Sequence, residues 1–399
     1  MAVKQIGLVV ILCLGSGYSC AQTNFALASP SGTIKIDVQT GDSILFRVDV
    51  DGLNVVQQSA IGLIGPTFSA FKGTRVQARR RSVRDTLINP VPFKRRNIPD
   101  HFNELTLTFR EKFSIIFRAY DDGVAWRFAT SLRDTIEISN EIVSLRFSDA
   151  DTVYFSMVRK RDDADLYHTS FEEPYTKLPI NALEVTQLGF TPMLIDGKIK
   201  TIITESDLMN YPGMFLRGTG ANELIGVFAP YPQTEEIHGD EFRQPVATVR
   251  RKYIARTWGE RSFPWRVLIF ARHDNDLLSS DLVYRLGRPP AAADWSWVKP
   301  GISTEEWIIG SNIYGVDFVS GINTATYKYY VDFARRFGLD FVMLDAGWSD
   351  PNDLFKIHPD INLEEIAAYA KTKEIGLTLW TLSMTLDRQL DSAMEMFSR

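Results

Sequence analysis

The segment Leu339–Trp348, LDFVMLDAGW, places an acid and an indole three residues apart, directly behind a strand-forming run from Phe341 to Leu344. At the carboxyl end of a strand in a parallel α/β barrel, side chains point into the active site. An aspartate there can hydrogen-bond sugar hydroxyls, and a tryptophan can offer its face to a sugar ring. The same residues also fit a strand-terminal Asp345 capping the next turn beside a core Trp348. Trp297 and Trp380 top two further strand candidates, so Asp345, Trp348, Trp297 and Trp380 form one candidate substrate-facing set. The sequence has no glycine-rich phosphate loop, metal-ligating histidine pair or serine nucleophile elbow. Its histidines (101, 168, 238, 273, 358) are scattered. Carboxylates and aromatics remain, the equipment of glycoside chemistry. Asp317, Asp350, Asp353, Glu172 and Glu173 fit loop or capping roles better than sugar contacts.

The elements that must position these residues divide the chain in two. From residue 24 to about 285 the pattern is all-β. Ile34, Ile36 and Val38 alternate with Lys35 and Asp37, and further strands are expected at 113–120, 124–130, 200–204, 224–229, 246–255 and 265–271. Asp121-Asp122-Gly123 reads as a hairpin turn using residues that accept positive φ. So many strands in one stretch imply a large β-sandwich. After Arg288-Pro289-Pro290, strands at 295–298, 339–344 and 375–381 alternate with amphipathic helices. Repeated β-α units imply a parallel sheet with right-handed crossovers. Three units are too few for a barrel of eight, so the expectation is an incomplete (β/α)8 barrel. The expected domains are a signal peptide at 1–21, the sandwich at 22–288 and the first part of the barrel at 289–399.

The 399 residues suffice for two domains. A net charge of −5 gives no electrostatic reason to bind nucleic acid. The basic clusters Arg79–Arg81 and Lys94–Arg96 read as solvated loop. Lys4, the apolar run Ile6–Leu14 and the small residues Ser19-Cys20-Ala21 read as a targeting segment too short to span a bilayer. Both cysteines, Cys13 and Cys20, lie inside it, so the mature fold needs no disulfide or thiolate metal site. Gly17-Tyr18-Ser19 is a poor lipoprotein signal, which puts cleavage after Ala21 and a periplasmic location ahead of lipid anchoring at Cys20.

Five segments together resemble glycoside hydrolase family 97: RAYDDGVAWRF (118–128), ITESDLMNYPGMFL (203–216), DWSWVKPG (294–301), YVDFARRFGLDFVMLDAGW (330–348) and GLTLW (376–380). The resemblance implies a β-supersandwich, a catalytic (β/α)8 barrel and an exo-acting α-glucosidase or α-galactosidase that takes an oligosaccharide or α-glycoside substrate. It implies a Ca²⁺ ion between sandwich and barrel with Glu205 as a ligand, the turn Tyr211-Pro212-Gly213 presenting that residue. Inverting members of the family carry a glutamate base on the third barrel strand. Here that strand reads Leu377-Thr378-Leu379-Trp380-Thr381-Leu382, with no acid, which favours the retaining, galactosidase-like branch. Its aspartate nucleophile and its acid/base glutamate are expected beyond residue 399, so this chain by itself is expected to be inactive. The alternative is a non-catalytic carbohydrate-binding remnant of such an enzyme.

Overall fold

Alternation of buried with less buried side chains, as along Ile34–Thr40 and Phe113–Ala119, marks strands with one face on a core. The computed structural model describes residues 22–90, 94–159, 165–289, 294 and 296–397. Two large antiparallel sheets account for most of the first 271 residues. One runs in the order 23–28, 34–40, 44–50, 53–64, 140–146, 223–228, 214–218 and 189–190, with 69–70 attached to 53–64. The other runs 176–179, 152–155, 193–196, 200–206, 265–271, 123–138, 113–120, 98–109 and 76–88, with 255–262 attached to 123–138. Their inner faces share one apolar core, crossed by the Phe46–Trp126 ring contact at 4.9 Å. This is a β-sandwich.

The strand Trp265–Ala271 is buried at every position, because the short helix Leu282–Leu286 covers the face that the sandwich core leaves open. Asp121 and Asp122 do form a two-residue turn, but neither they nor Gly123 has positive φ. Glycine is required at 123 for space: a Cβ would lie 2.5 Å from the Leu268 carbonyl oxygen and 2.6 Å from Leu282 Cδ2. The expected strand 246–255 is two strands. Gln244–Arg250 pairs with Pro232–His238 as a separate hairpin, and Ala255–Ser262 joins the sandwich. Of the two basic clusters, Lys94–Arg96 is exposed loop as expected, and the other is not. Arg79–Arg81 lie in Val76–Ile88, an exposed edge strand of 13 residues. Lys94 and Arg95 donate to the carbonyls of Leu278, Ser279 and Ser280 and pair with Asp281. They thereby satisfy orphan carbonyls at the end of the helix Asp274–Ser279.

Beyond Arg288, three short strands, Ser303–Thr304, Phe341–Leu344 and Gly376–Leu379, form a parallel sheet in that order. Helices Thr324–Phe337 and Leu363–Thr372 connect them, and Ser383–Phe397 follows the third. Asn323 caps the first helix by accepting from Thr326 N–H, and Gly338 ends it at φ 72°. The first strand is not at 295–298. Trp295 lies outside the described residues, and 296–297 form a turn in which Asp294 accepts from Ser296 N–H at 2.9 Å. A hairpin of Ser349–Asp350 with Asp353–Ile357, unforeseen from the sequence, follows the second strand. A core from Tyr327 to Ala393 holds this unit together and shares no buried residue with the sandwich core.

Candidate functional site

The three parallel strands deliver Glu306, Asp345 and Trp380 to one end of their sheet, one or two residues past each strand. Asp345 is half-buried. Its N–H donates to Glu306 Oε1 at 3.0 Å, and its own Oδ1 accepts from Ala346 N–H at 2.6 Å. Gly347 completes this turn at φ 109°, where a Cβ would sit 2.4 Å from Ile322 Cδ1. A turned-back carboxylate on a tight loop can accept from a sugar hydroxyl with its remaining lone pairs.

Glu306 is the residue that sequence reasoning missed. It is 1% exposed, its Oε1 accepts from both Tyr327 O–H and Asp345 N–H at 3.0 Å, and its Oε2 has no partner among the described residues. Burial pushes its carboxyl above the usual range, with the two donors opposing. Burial and the adjoining Glu306 likewise push the Tyr327 phenol up. Placing the first strand at 295–298 hid Glu306; the pair Glu305-Glu306 just ahead of Trp307 was the available signal.

Trp348 is 1% exposed and belongs to the core. Its indole N–H donates to the Trp380 carbonyl at 2.8 Å, and its ring meets Phe397 edge-on at 5.9 Å. It therefore braces the site from behind and presents no face to a ligand. Trp297 is 73% exposed, in a turn that precedes the first parallel strand in sequence. Trp380 is half-buried, and its backbone N–H donates to the Leu344 carbonyl at 3.0 Å. The structure thus joins Asp345 and Trp380, puts Trp348 beneath them and leaves Trp297 apart.

A wall comes from the sandwich. The 232–250 hairpin reaches across so that Phe242 meets Trp380 edge-to-face at 5.9 Å, and Asn352 Nδ2 donates to the Glu241 carbonyl at 2.9 Å. The acids nearby are structural. Asp350 is held below the usual carboxylate range by Lys356, the Asn352 N–H and, more weakly, the Arg243 charge. Asp353 accepts from Phe355 N–H and Gln389. Glu173 pairs with Arg159 at 3.6 Å, while Glu172 and Asp317 are exposed.

Glu205 lies inside the sandwich, on the strand Lys200–Ser206, and faces Arg266 on the neighbouring strand. Arg266 is 1% exposed. It takes both oxygens of Glu141 at 2.7 Å and pairs through its third nitrogen with Glu205 Oε2. The other Glu205 oxygen accepts from Met214 N–H at 2.9 Å, so the Tyr211-Pro212-Gly213 turn presents an amide to Glu205. Burial lowers the Arg266 pKa, but the two carboxylates outweigh it and hold the guanidinium above its ordinary range. Burial raises the Glu205 carboxyl, with Arg266 opposing. A Ca²⁺ ion needs several free oxygens. Here both Glu205 oxygens are taken by donors, a cation is already in place, and no group of three or more metal-capable side chains occurs among the described residues. Among the described residues Glu205 is therefore an ion-pair partner of Arg266.

Comparison with known proteins gives the context. Residues 27–289 match the family model described as Glycosyl-hydrolase 97 N-terminal, and residues 306–399 match Glycoside hydrolase 97. A retaining alpha-galactosidase of Bacteroides thetaiotaomicron is 34% identical over 382 residues, 93% of this chain and 58% of that protein. A probable retaining alpha-galactosidase of Streptomyces bingchenggensis is 24% identical over 383 residues, 91% of this chain and 52% of its own length. The chain therefore spans a little over half the length of these relatives. Among solved structures, a Glycoside Hydrolase Family 97 enzyme of Pseudoalteromonas sp. strain K8 in complex with acarbose superimposes with a TM-score of 0.72 at 22% identity, over 88% of this chain and 53% of that one. A beta-arabinopyranosidase gives 0.71 at 18% identity, over 89% and 55%.

Proposed function

The chain belongs to glycoside hydrolase family 97, and from that premise we propose that the complete protein is an exo-acting α-glycosidase that releases terminal α-galactose with retention, α-glucose being the second candidate. The observation that carries the choice of mechanism is the end of the third parallel strand, which offers the indole of Trp380 where an inverting base would need a carboxylate. The 34% identity to a protein named retaining alpha-galactosidase supports the same choice. In this reading the parallel unit is the first part of a (β/α)8 barrel, and residue 289 begins it.

Retention needs two carboxylates roughly 5 Å apart, one attacking the anomeric carbon and one serving the leaving oxygen. Asp345 and Glu306 are not that pair, because Glu306 is sealed in the core and cannot reach a glycosidic oxygen. We assign Asp345 to a hydroxyl of the terminal sugar, Glu306 to holding Asp345 in place, and Trp380 to the shape of the subsite. The nucleophile and the acid/base are assigned to later strands of the complete protein. Ca²⁺ is given no step, since Glu205, the residue through which the resemblance introduces it, is held by Arg266. Residues 1–21 would direct the mature protein to a periplasm, and no helix among the described residues is long and apolar enough to cross a membrane.

The test uses the product of the complete reading frame on nitrophenyl α-galactoside and α-glucoside, with the released sugar followed by NMR. The galactoside should turn over faster and α-galactose should appear before its anomer. Initial release of the β anomer would sink the retaining assignment. Residues 1–399 alone should give no turnover yet still bind galactose, and absence of turnover by the complete product would favour the reading as a non-catalytic sugar-binding protein.

A further inference from the structure

A pocket of about 650 Å³ opens between the end of the edge strand Val76–Ile88 and the short helix Leu282–Leu286. Its walls belong to the sandwich, that helix and the residues just after it; Asp345 and Trp380 are not among them. Five arginines line it: Arg84, Arg118, Arg127, Arg285 and Arg288. So many like charges around one cavity repel unless acids answer them. Four do. Arg84 lies 3.7 Å from Asp100, and Arg118 donates to Glu104 at 2.8 Å. Arg285 grips both oxygens of Asp122 at 2.9 Å. Asp207 is shared, by Arg288 at 2.7 Å and by Arg127 at 3.5 Å. The lining arginines and their partners therefore carry five positive charges against four negative.

Arg127 is the cation left over. It holds the longer of the two contacts with Asp207, and its buried Nε has no partner among the described residues. Its guanidinium lies 4.3 Å from the centre of the Trp265 ring, on which Arg118 also stacks at 4.7 Å. Burial and then the Arg118 charge push the Arg127 pKa down to about 10, and an arriving anion would offset the second effect. Asp100 faces the same pocket with its Oδ1 buried and unpartnered among the described residues. Burial raises that carboxyl, with the arginines opposing, toward the protonated form that donates to an anion instead of repelling it. The rest of the wall is apolar, with Ile88, Val283 and Leu286 around the Trp265 indole. The volume lies within the range of small-molecule sites.

We propose that this pocket binds an organic carboxylate, a monoanion with an apolar body. Its head takes the fork of Arg127, and its body lies against Ile88, Val283 and Leu286. One surplus positive charge matches one carboxylate, whereas a dianion would leave the site negative. Occupancy stabilises the sandwich, because a ligand bound only by the folded form raises its stability. The site stands apart from the glycosidase reading and survives if that reading fails.

Residues 1–399 and the complete protein are titrated by calorimetry with cyclohexanecarboxylate, its neutral carboxamide and inorganic sulfate. The carboxylate should bind both proteins, and the carboxamide and sulfate should each bind at least about tenfold more weakly. Arg288 is more than half exposed, so Arg288→Ala keeps the fold; it leaves Asp207 to Arg127 alone and should weaken the carboxylate about tenfold. Asp207→Asn frees the guanidinium and should tighten the carboxylate, and asparagine tolerates the φ of 58° found at that position. A merely structural Asp207 would give the opposite sign. The pocket assignment is overturned by no carboxylate binding, by equal affinity for the carboxamide or sulfate, or by unchanged or weaker binding in Asp207→Asn. Binding to residues 1–399 but not to the complete protein also overturns it, since the rest of the polypeptide would then fill the space.

Discussion

At the scale of single residues, the parallel unit depends on a carboxyl that the sequence does not advertise. Glu306 links the helix residue Tyr327 to the strand-end Asp345 through one oxygen, and burial makes its charged form costly. An acid whose folded pKa is raised binds more protons folded than unfolded, so it lowers stability as pH rises past the unfolded value, ordinarily 4.5 for glutamate. The penalty is absent below that value and complete above the raised folded one. Glu306→Gln keeps the accepting oxygen and removes the charge. The melting temperature of the variant minus that of the wild type should therefore be more positive at pH 7 than at pH 4, read by scanning fluorimetry at both. A difference independent of pH would mean that Glu306 is not the buried, charge-penalised group described above. Arg266 shows the opposite arrangement: two carboxylates flank a sealed guanidinium, so the motif residue Glu205 is an ion-pair partner before it is anything else. Nothing in ITESDLMNYPG distinguishes those roles, because the deciding partners, Glu141 and Arg266, lie about 60 residues away on either side.

At the scale of elements, the legible parts were those in which burial follows a local period. Trp265–Ala271 and Phe113–Tyr120 appear with the bounds read from the sequence, and of the helix face Tyr327, Tyr330, Val331, Ala334 and Phe337 all but Phe337, which is exposed, are buried as the spacing requires. The first parallel strand was misplaced because only Ser303 and Thr304 pair, too few residues for any period to show, while the aromatic Trp295–Val298 has strand-like composition and residues 296–297 form a turn. Trp348 was ambiguous for a related reason: an indole after a strand is equally compatible with core and with site. Its N–H to the Trp380 carbonyl ties the end of the second strand to the end of the third. Trp348→Ala should cost about 3–5 kcal/mol from the cavity and lost burial. Trp348→Phe should cost appreciably less, since it refills most of the space and forfeits chiefly one hydrogen bond. Urea unfolding followed by far-UV circular dichroism checks both, and equal losses would mean that the packing around Trp348 is looser than described.

At the scale of the whole molecule, two apolar cores without a common residue meet through a few contacts at the 232–250 hairpin. Cooperativity follows shared burial, and such a chain departs from two-state behaviour. Calorimetry should resolve two transitions, and Phe242→Ala should shift the one belonging to the parallel unit while leaving the sandwich transition within about 1 °C, since the ring is exposed on the sandwich side. One transition common to all probes would show that the hairpin couples the units more tightly than its contacts suggest. The two-part plan was visible in the change from period-two to helical spacing near Arg288. The hairpin as a wall of the site was not, because residues 232–250 carry no mark of where they will dock.

That hairpin also fixes an order of assembly. A chain made, or threaded through a translocon, from its N-terminus presents the arm well before Trp380 exists to receive it. In the interval Ile237, Phe242 and Val249, all exposed even in the finished fold, stand on an unlatched ribbon of two strands, a length that is marginal alone in water. The latch closes only after the third parallel strand has formed beneath it, so a docked arm reports that both halves of the polypeptide have folded.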